Sequence, residues 1–74
     1  MLDKVGYVLR VSRSKKVIVK LEKEVKEGRM LYDERGRKVG KVVEVFGPIR
    51  SPYASLQPLT DRLRGLIGRK VFIR

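Results

Sequence analysis

Residues 5–21 read VGYVLRVSRSKKVIVKL, and the fold can be worked out from this stretch. Every second residue is apolar in its first part, and the same alternation returns in its last part. Side chains two positions apart share one face of a β-strand, and such short β-branched runs favour strands over a helix. The polar and basic residues 12–15 predict a hairpin turn between two antiparallel strands. The predicted core face of this hairpin holds Val5, Tyr7, Leu9, Val11, Val17, Val19 and Leu21.

The rest of the chain repeats this organisation. Thr60-Asp61 predicts a cap for one helical turn, and Gly47-Pro48 must end a strand because proline lacks the ladder N–H. Six short strands with turn signals about every ten residues predict an all-β fold. We expect a small closed antiparallel barrel that forms one domain over residues 1–74 and has at most one helical turn. The four further strand patterns cover residues 29–32, 37–46, 53–57 and 69–73.

The composition limits both stability and function. The chain has 74 residues, no cysteine and no histidine, so disulfides are excluded and a structural zinc site is not expected. A domain of this size buries only about 60% of its unfolded surface. Because so little surface is buried, the charged fraction of 36% predicts that ion pairs contribute to the stability of the domain. The net charge of +11 favours an assembly that contains nucleic acid.

Several classes of protein are disfavoured. No apolar run reaches the roughly 18 residues of a membrane span, and no signal-peptide pattern opens the chain, so we expect a cytoplasmic, intracellular protein. Serine has no histidine base here, and the carboxylates cluster in predicted loops instead of a pocket. Neither a phosphate-binding loop nor a dinucleotide fingerprint is present. The sequence therefore predicts a protein that is not an enzyme and has no cofactor.

The strand pattern over residues 39–46 is unusual because both of its faces carry large apolar groups. One face would hold Val39, Val43 and Val45, and the other Val42 and Phe46. One explanation is a β-bulge near Gly40 or Val42 that shifts the strand's register and leaves these groups buried. The other explanation is that a partner protein covers one face.

The loop that follows this strand has the same ambiguity. It contains Ile49 between two prolines, Pro48 and Pro52, and a stiff loop loses little entropy when it docks. Ile49 would be turned inward if the segment were only a barrel crossover. It would be exposed if the segment were a recognition loop. Residue types alone do not separate these two interpretations.

Residues 39–58 resemble the signature of the archaeal glycine–arginine-rich protein family of H/ACA pseudouridylation particles. The resemblance rests on Val39-Gly40, on Val45-Phe46-Gly47-Pro48-Ile49 and on Pro52-Tyr53. It extends back to Met30 through a hairpin like that of the family, whereas residues 1–29 match only in strand pattern. Glycine–arginine repeats, which eukaryotic members carry, are absent from the sequence. RNA contacts made by such repeats are therefore not expected.

The resemblance implies a six-stranded barrel similar to the second domain of translation elongation factors. It also implies a non-catalytic subunit that docks on the catalytic domain of the H/ACA pseudouridine synthase and assists RNA-guided pseudouridylation of rRNA. Such a subunit promotes substrate loading and product turnover, and it meets the guide RNA and rRNA largely indirectly. No membrane or small-molecule substrate is implied. The docking residues carried over by position are Val45, Phe46, Gly47, Pro48, Ile49, Pro52 and Tyr53.

A small basic barrel that binds RNA directly, of the ribosomal or Sm-like kind, is the alternative function. Its RNA-facing residues would come from basic clusters at predicted turns and strand ends, which could equally be a solvated rim. The five aromatic residues fit base stacking poorly, because Tyr7 lies on the predicted core face and the others are scattered over separate strands. The basic clusters are Arg13, Lys15 and Lys16; Arg35, Arg37 and Lys38; and Arg62, Arg64, Arg69 and Lys70.

Overall fold

The computed structural model describes all residues, 1–74, and contains six β-strands and one 3₁₀ turn. No helical segment combines the length and the apolar character that a bilayer crossing requires. The elements in chain order are β1 (Asp3–Val11), β2 (Val17–Leu21), β3 (Met30–Tyr32), β4 (Lys38–Phe46), β5 (Tyr53–Pro58), the 3₁₀ turn η1 (Leu63–Leu66) and β6 (Lys70–Ile73).

The strands close into one antiparallel barrel with the order β1-β2-β5-β4-β3-β6. This confirms the predicted fold class and the position of each predicted strand to within about two residues at its ends. Closure leaves the sheet without an edge that another chain could extend. In so short a chain, closing the sheet also allows the strands to surround a single core.

Antiparallel pairing fixes which connections share an end of the barrel. The β1–β2 hairpin, the β3–β4 turn and the segment from β5 to β6 lie at one end, which we name the hairpin end. The β2–β3 loop and the β4–β5 loop lie at the opposite end, which we name the loop end. The two candidate surfaces described below occupy these two ends.

The core is built from aliphatic side chains that each strand turns inward. Thirteen of its residues are buried, and no polar or charged residue is among the buried set. The inward direction predicted for Val17, Val19 and Leu21 is confirmed. Val25, in the charged loop between β2 and β3, also packs into the core cluster.

Tyr7 and Leu9 were predicted to lie on the core face of β1. This prediction is wrong, because the two residues are 36% and 37% exposed. Register shifts interrupt the pairing of β1 with β6 between Lys4 and Gly6, and with β2 between Val8 and Arg10. An extra residue at a bulge inverts the alternation beyond it. Val5 and Val8 therefore both point inward, although they are three residues apart.

The bulge predicted in β4 is present, because the register with β5 shifts between Val42 and Glu44. It does not bury every apolar group of the strand, as that explanation required. Val39 and Val42 enter the core, whereas Val43 remains 43% exposed and Phe46 40% exposed. Part of β4 thus presents apolar surface to solvent.

Two smaller expectations are also corrected. Thr60 accepts a hydrogen bond from the backbone N–H of Arg62 at 3.3 Å, but no side chain caps η1, which begins at Leu63. Dense ion pairing is absent: a single salt bridge forms, between Lys4 and Glu22 at 3.3 Å. The basic excess leaves most cations without a nearby carboxylate, and the closed apolar core has the larger role in stability.

Candidate functional site

The β4–β5 loop projects apolar side chains from the loop end. Phe46 ends β4 and Tyr53 begins β5, and the two residues face each other in the β-ladder. Their rings stack with centroids 5.7 Å apart and planes inclined by 17°. Ile49, at the far side of the loop, is 97% exposed. The inward position that a simple crossover would give Ile49 is therefore excluded.

Lys20 of β2 holds this loop from the neighbouring strand. Its ammonium group lies 4.0 Å from the centroid of the Tyr53 ring and donates a hydrogen bond to the carbonyl oxygen of Ser51 at 3.0 Å. The backbone N–H of Leu21 donates to the carbonyl of Pro52 at 2.9 Å. The loop is thus fastened at its C-terminal side by one cation and one ladder-like hydrogen bond.

Gly47 sets the direction of the loop at its other side. Its φ of +94° lies in the left-handed region, which side chains other than glycine rarely adopt. A Cβ added there would lie 3.0 Å from Cδ1 of Tyr53. Glycine therefore permits both the turn and the close approach of the Tyr53 ring.

An open groove of about 320 Å³ runs beside the loop. One wall comes from the β4–β5 loop and the other from Glu22, Lys23 and Glu24 of the β2–β3 loop. We name the predicted docking residues, Val45, Phe46, Gly47, Pro48, Ile49, Pro52 and Tyr53, the docking patch. All of these except Tyr53 line the groove, and Tyr53 supports it through the stack on Phe46.

Sequence reasoning missed the opposite wall of this groove and the role of Lys20. Residues 22–24 lie in a charged loop with no apolar or rigid feature, so nothing in the sequence pointed to them. Lys20 lies outside the predicted core face of β2, with no sign in the sequence that it would be half-buried beside Tyr53. Only the pairing of β2 with β5 brings these residues together.

The three basic clusters all lie at the hairpin end, away from the docking patch. Together the segments 12–16, 33–38 and 59–70 contain ten basic and three acidic residues, a net charge of +7 out of the total of +11. A second open groove, of about 760 Å³, brings two of the clusters together. Arg35, Arg37, Lys38, Arg62 and Arg69 contribute to its lining, whereas Arg13, Lys15 and Lys16 of the β1–β2 hairpin lie outside it.

The aromatic residues do not form a base-stacking face. Tyr7 is partly exposed on β1, Tyr32 lies under the Arg74 guanidinium at 4.3 Å from its ring centroid, and Phe72 is half-buried opposite Tyr32. Phe46 and Tyr53 lie on separate strands, as predicted, but the pairing of β4 with β5 makes them neighbours, which the sequence did not indicate. That single stacked pair belongs to the docking patch.

Together these features define a class: a small closed β-barrel with an apolar patch at one end and concentrated positive charge at the other. Residues 2–74 match the family model described as the Gar1/Naf1 RNA binding region. The chain therefore belongs to the Gar1/Naf1 family, which confirms the resemblance seen in residues 30–58.

One relative and one solved structure are similar to this chain over most of its length. An uncharacterized protein of Methanothermobacter thermautotrophicus is 32% identical over 72 residues, covering 92% of this chain and 78% of that protein. The solved structure described as the Gar1 domain of Naf1 superposes on the whole chain and on 83% of its own length. Its TM-score is 0.73 and its sequence identity 22%, so this likeness supports the fold.

Proposed function

We propose that this chain is a non-catalytic subunit of a cytoplasmic H/ACA ribonucleoprotein and that it docks on the catalytic domain of the pseudouridine synthase. In this role it assists RNA-guided pseudouridylation of rRNA by promoting substrate loading and product turnover. Membership of the Gar1/Naf1 family supports the assignment to such a particle. The exposed, fastened docking patch is the observation that carries the proposed contact with protein.

Ile49 is the principal anchor of the proposed contact. An isoleucine that is 97% exposed contributes no burial energy to the stability of the isolated barrel. Burying an Ile or a Phe side chain contributes about 1.5–3 kcal/mol. Ile49 and the exposed part of Phe46 together can supply several kcal/mol before the ordering costs of association are subtracted.

The attachment of the loop reduces those ordering costs. Pro48 and Pro52 restrict the backbone, and the Lys20 contacts hold Ser51 and Tyr53. A loop already in its bound shape loses little conformational entropy on docking, which raises affinity without any further contact. The mixed charges of the opposite wall, Glu22, Lys23 and Glu24, would form a polar border around the apolar anchors.

The alternative function, a ribosomal or Sm-like barrel that binds RNA directly, has less support. The matching family is Gar1/Naf1 and not a ribosomal or Sm-like family, although its description also names RNA binding. No exposed row of aromatics is available for stacking bases. That alternative predicts binding that weakens steeply with salt and depends on Arg and Lys residues. Docking through apolar anchors predicts a modest salt dependence and sensitivity at Phe46 and Ile49.

Multiple-turnover pseudouridylation tests the proposed role. An archaeal pseudouridine synthase is assembled with its guide RNA and excess substrate RNA, and the rate is measured with and without this chain. The wild-type chain should raise the multiple-turnover rate, Ile49→Asp should abolish the gain, and Ile67→Asp should preserve it. Ile67 is a matched control because it is 54% exposed and lies in neither groove. Equal stimulation by both variants would refute the role of the docking patch.

A further inference from the structure

The hairpin end contains a groove assembled from basic residues that are distant in sequence. Arg35, Arg37 and Lys38 approach it from the β3–β4 turn and the start of β4, whereas Arg62 and Arg69 flank η1 on the other side. We name these five residues the basic groove. All five side chains are exposed around an open space of about 760 Å³. The groove exists only because barrel closure brings the β3–β4 turn beside the segment that joins β5 to β6.

The positive charges of the basic groove exceed the acidic charges of its lining, which holds five basic residues and two acidic ones, Asp33 and Glu34. The one salt bridge of the barrel, Lys4–Glu22, lies at the loop end. Asp33 borders the groove, but its Oδ1 accepts the backbone N–H groups of Arg35 and Arg37 at 2.8 and 2.9 Å. Its carboxylate thus organises the turn that presents these two arginines. Arg69 is oriented by its own Nε–H, which donates to the carbonyl of Gly65 at 3.2 Å.

The lining of the groove suits phosphates better than bases. Its apolar members are the aliphatic Val39, Leu59 and Leu66, and no aromatic ring lines it. Single-stranded nucleic acid is usually held on aromatic side chains, which this surface lacks. Arginine and lysine side chains around an open depression match a phosphate backbone, which they contact regardless of sequence.

We infer that the basic groove binds the phosphate backbone of RNA while the docking patch, at the opposite end of the barrel, holds the protein partner. The inference rests on the proposed function, which places the chain beside guide and substrate RNA. The description of the matching family names RNA binding but no surface for it, and the inference assigns that role to the basic groove. The resemblance in residues 30–58, by contrast, implies a subunit that meets RNA largely indirectly. The barrel then acts as a bridge, with protein at the loop end and RNA at the hairpin end.

Fluorescence anisotropy with a fluorescein-labelled RNA hairpin of about 20 base pairs and arbitrary sequence tests this inference. If all five cations contact phosphates, a slope of about 0.9 per contact weakens binding roughly 500-fold between 50 and 200 mM salt. Arg37→Gln with Arg62→Gln removes two contacts, which should lower that factor to roughly 40-fold and weaken binding at 50 mM salt. The matched double variant, Lys26→Gln with Lys41→Gln, removes the same charge outside both grooves and should behave like the wild type.

Binding to the synthase, measured on the same variants without RNA, separates this inference from the proposed function. If the groove variant loses RNA binding but keeps synthase binding, the basic groove faces RNA. If both double variants weaken RNA binding equally, only overall charge matters and the inference is wrong. It is also wrong if the wild type fails to bind the RNA at 50 mM salt, or if the groove variant loses synthase binding alone. Circular dichroism of each variant verifies that the barrel remains folded.

Discussion

Replacing Lys20 with leucine tests whether this lysine holds the β4–β5 loop in place. The substitution keeps an apolar stem on β2 but removes the ammonium group beside the Tyr53 ring and the donor to Ser51. A cation–π contact at a partly exposed site is worth about 0.5–1 kcal/mol, and a hydrogen bond contributes a net 0.5–1.5 kcal/mol. We therefore expect the free energy of unfolding to fall by about 1–2.5 kcal/mol.

Thermal unfolding followed by circular dichroism measures this loss. In a domain of 60–100 residues, 1 kcal/mol corresponds to about 4–8 °C in Tm, so Lys20→Leu should lower Tm by roughly 4–20 °C. Lys41→Leu is the matched control, because Lys41 is an exposed strand lysine without a side-chain hydrogen bond or cation–π contact. Its Tm should shift only slightly, since surface substitutions usually stay within about 0.5 kcal/mol.

The same variant should bind the synthase more weakly although Lys20 lies behind the docking patch. A loosened loop must be ordered again on docking, and each immobilised side chain costs about 0.5–1.5 kcal/mol. A loss of up to about tenfold in affinity follows, at 1.4 kcal/mol per tenfold. Equal Tm values for Lys20→Leu and Lys41→Leu would show that Lys20 does not fasten the loop.

Two further substitutions test the turn and the core. Gly47→Ala should lower the free energy of unfolding by about 1–2 kcal/mol, because it places a side chain at a φ of +94° and against Tyr53. Gly28→Ala has a similar φ of +89° but open space around its Cβ, so the difference between the two urea-unfolding midpoints measures the crowding by Tyr53. Leu56→Ala empties a fully buried position and should cost about 2–5 kcal/mol, whereas Gln57→Ala, the exposed neighbour on β5, should change stability little. Equal midpoints within either pair would contradict the corresponding assignment.

The positions of the strands along the chain and the closed barrel were predictable because period-2 alternation and turn residues act locally. Val17, Val19 and Leu21 show such a pattern, and each is buried as expected. The inward faces of β1 and β4 were harder to predict, because a bulge changes the inward side of a strand. The sequence of β1 carries no clear mark of its bulges, and the two-sided apolar pattern of β4 indicated a bulge without showing which groups it buries. Tyr7 and Leu9 were therefore placed in the core, although they lie outside it.

The candidate site was predictable only in its contiguous part. Residues 45–53 stand out because an apolar residue between prolines is unusual in a solvent-exposed loop. The Lys20 contacts and the wall at Glu22–Glu24 depend on the pairing of β2 with β5, which local patterns do not reveal. The same limit applies to the basic groove, whose two halves are separated by more than twenty residues of sequence.

Titration calorimetry of the purified chain against an archaeal pseudouridine synthase, at low and moderate salt, tests docking through the apolar patch most directly. We expect tight binding that persists in moderate salt. Because a buried isoleucine anchor is worth about 2 kcal/mol or more, Ile49→Asp should weaken the complex at least about thirtyfold. Ile67→Asp should bind like the wild type. No binding to the synthase, or equal binding by Ile49→Asp and Ile67→Asp, would show that the chain does not dock through the apolar patch.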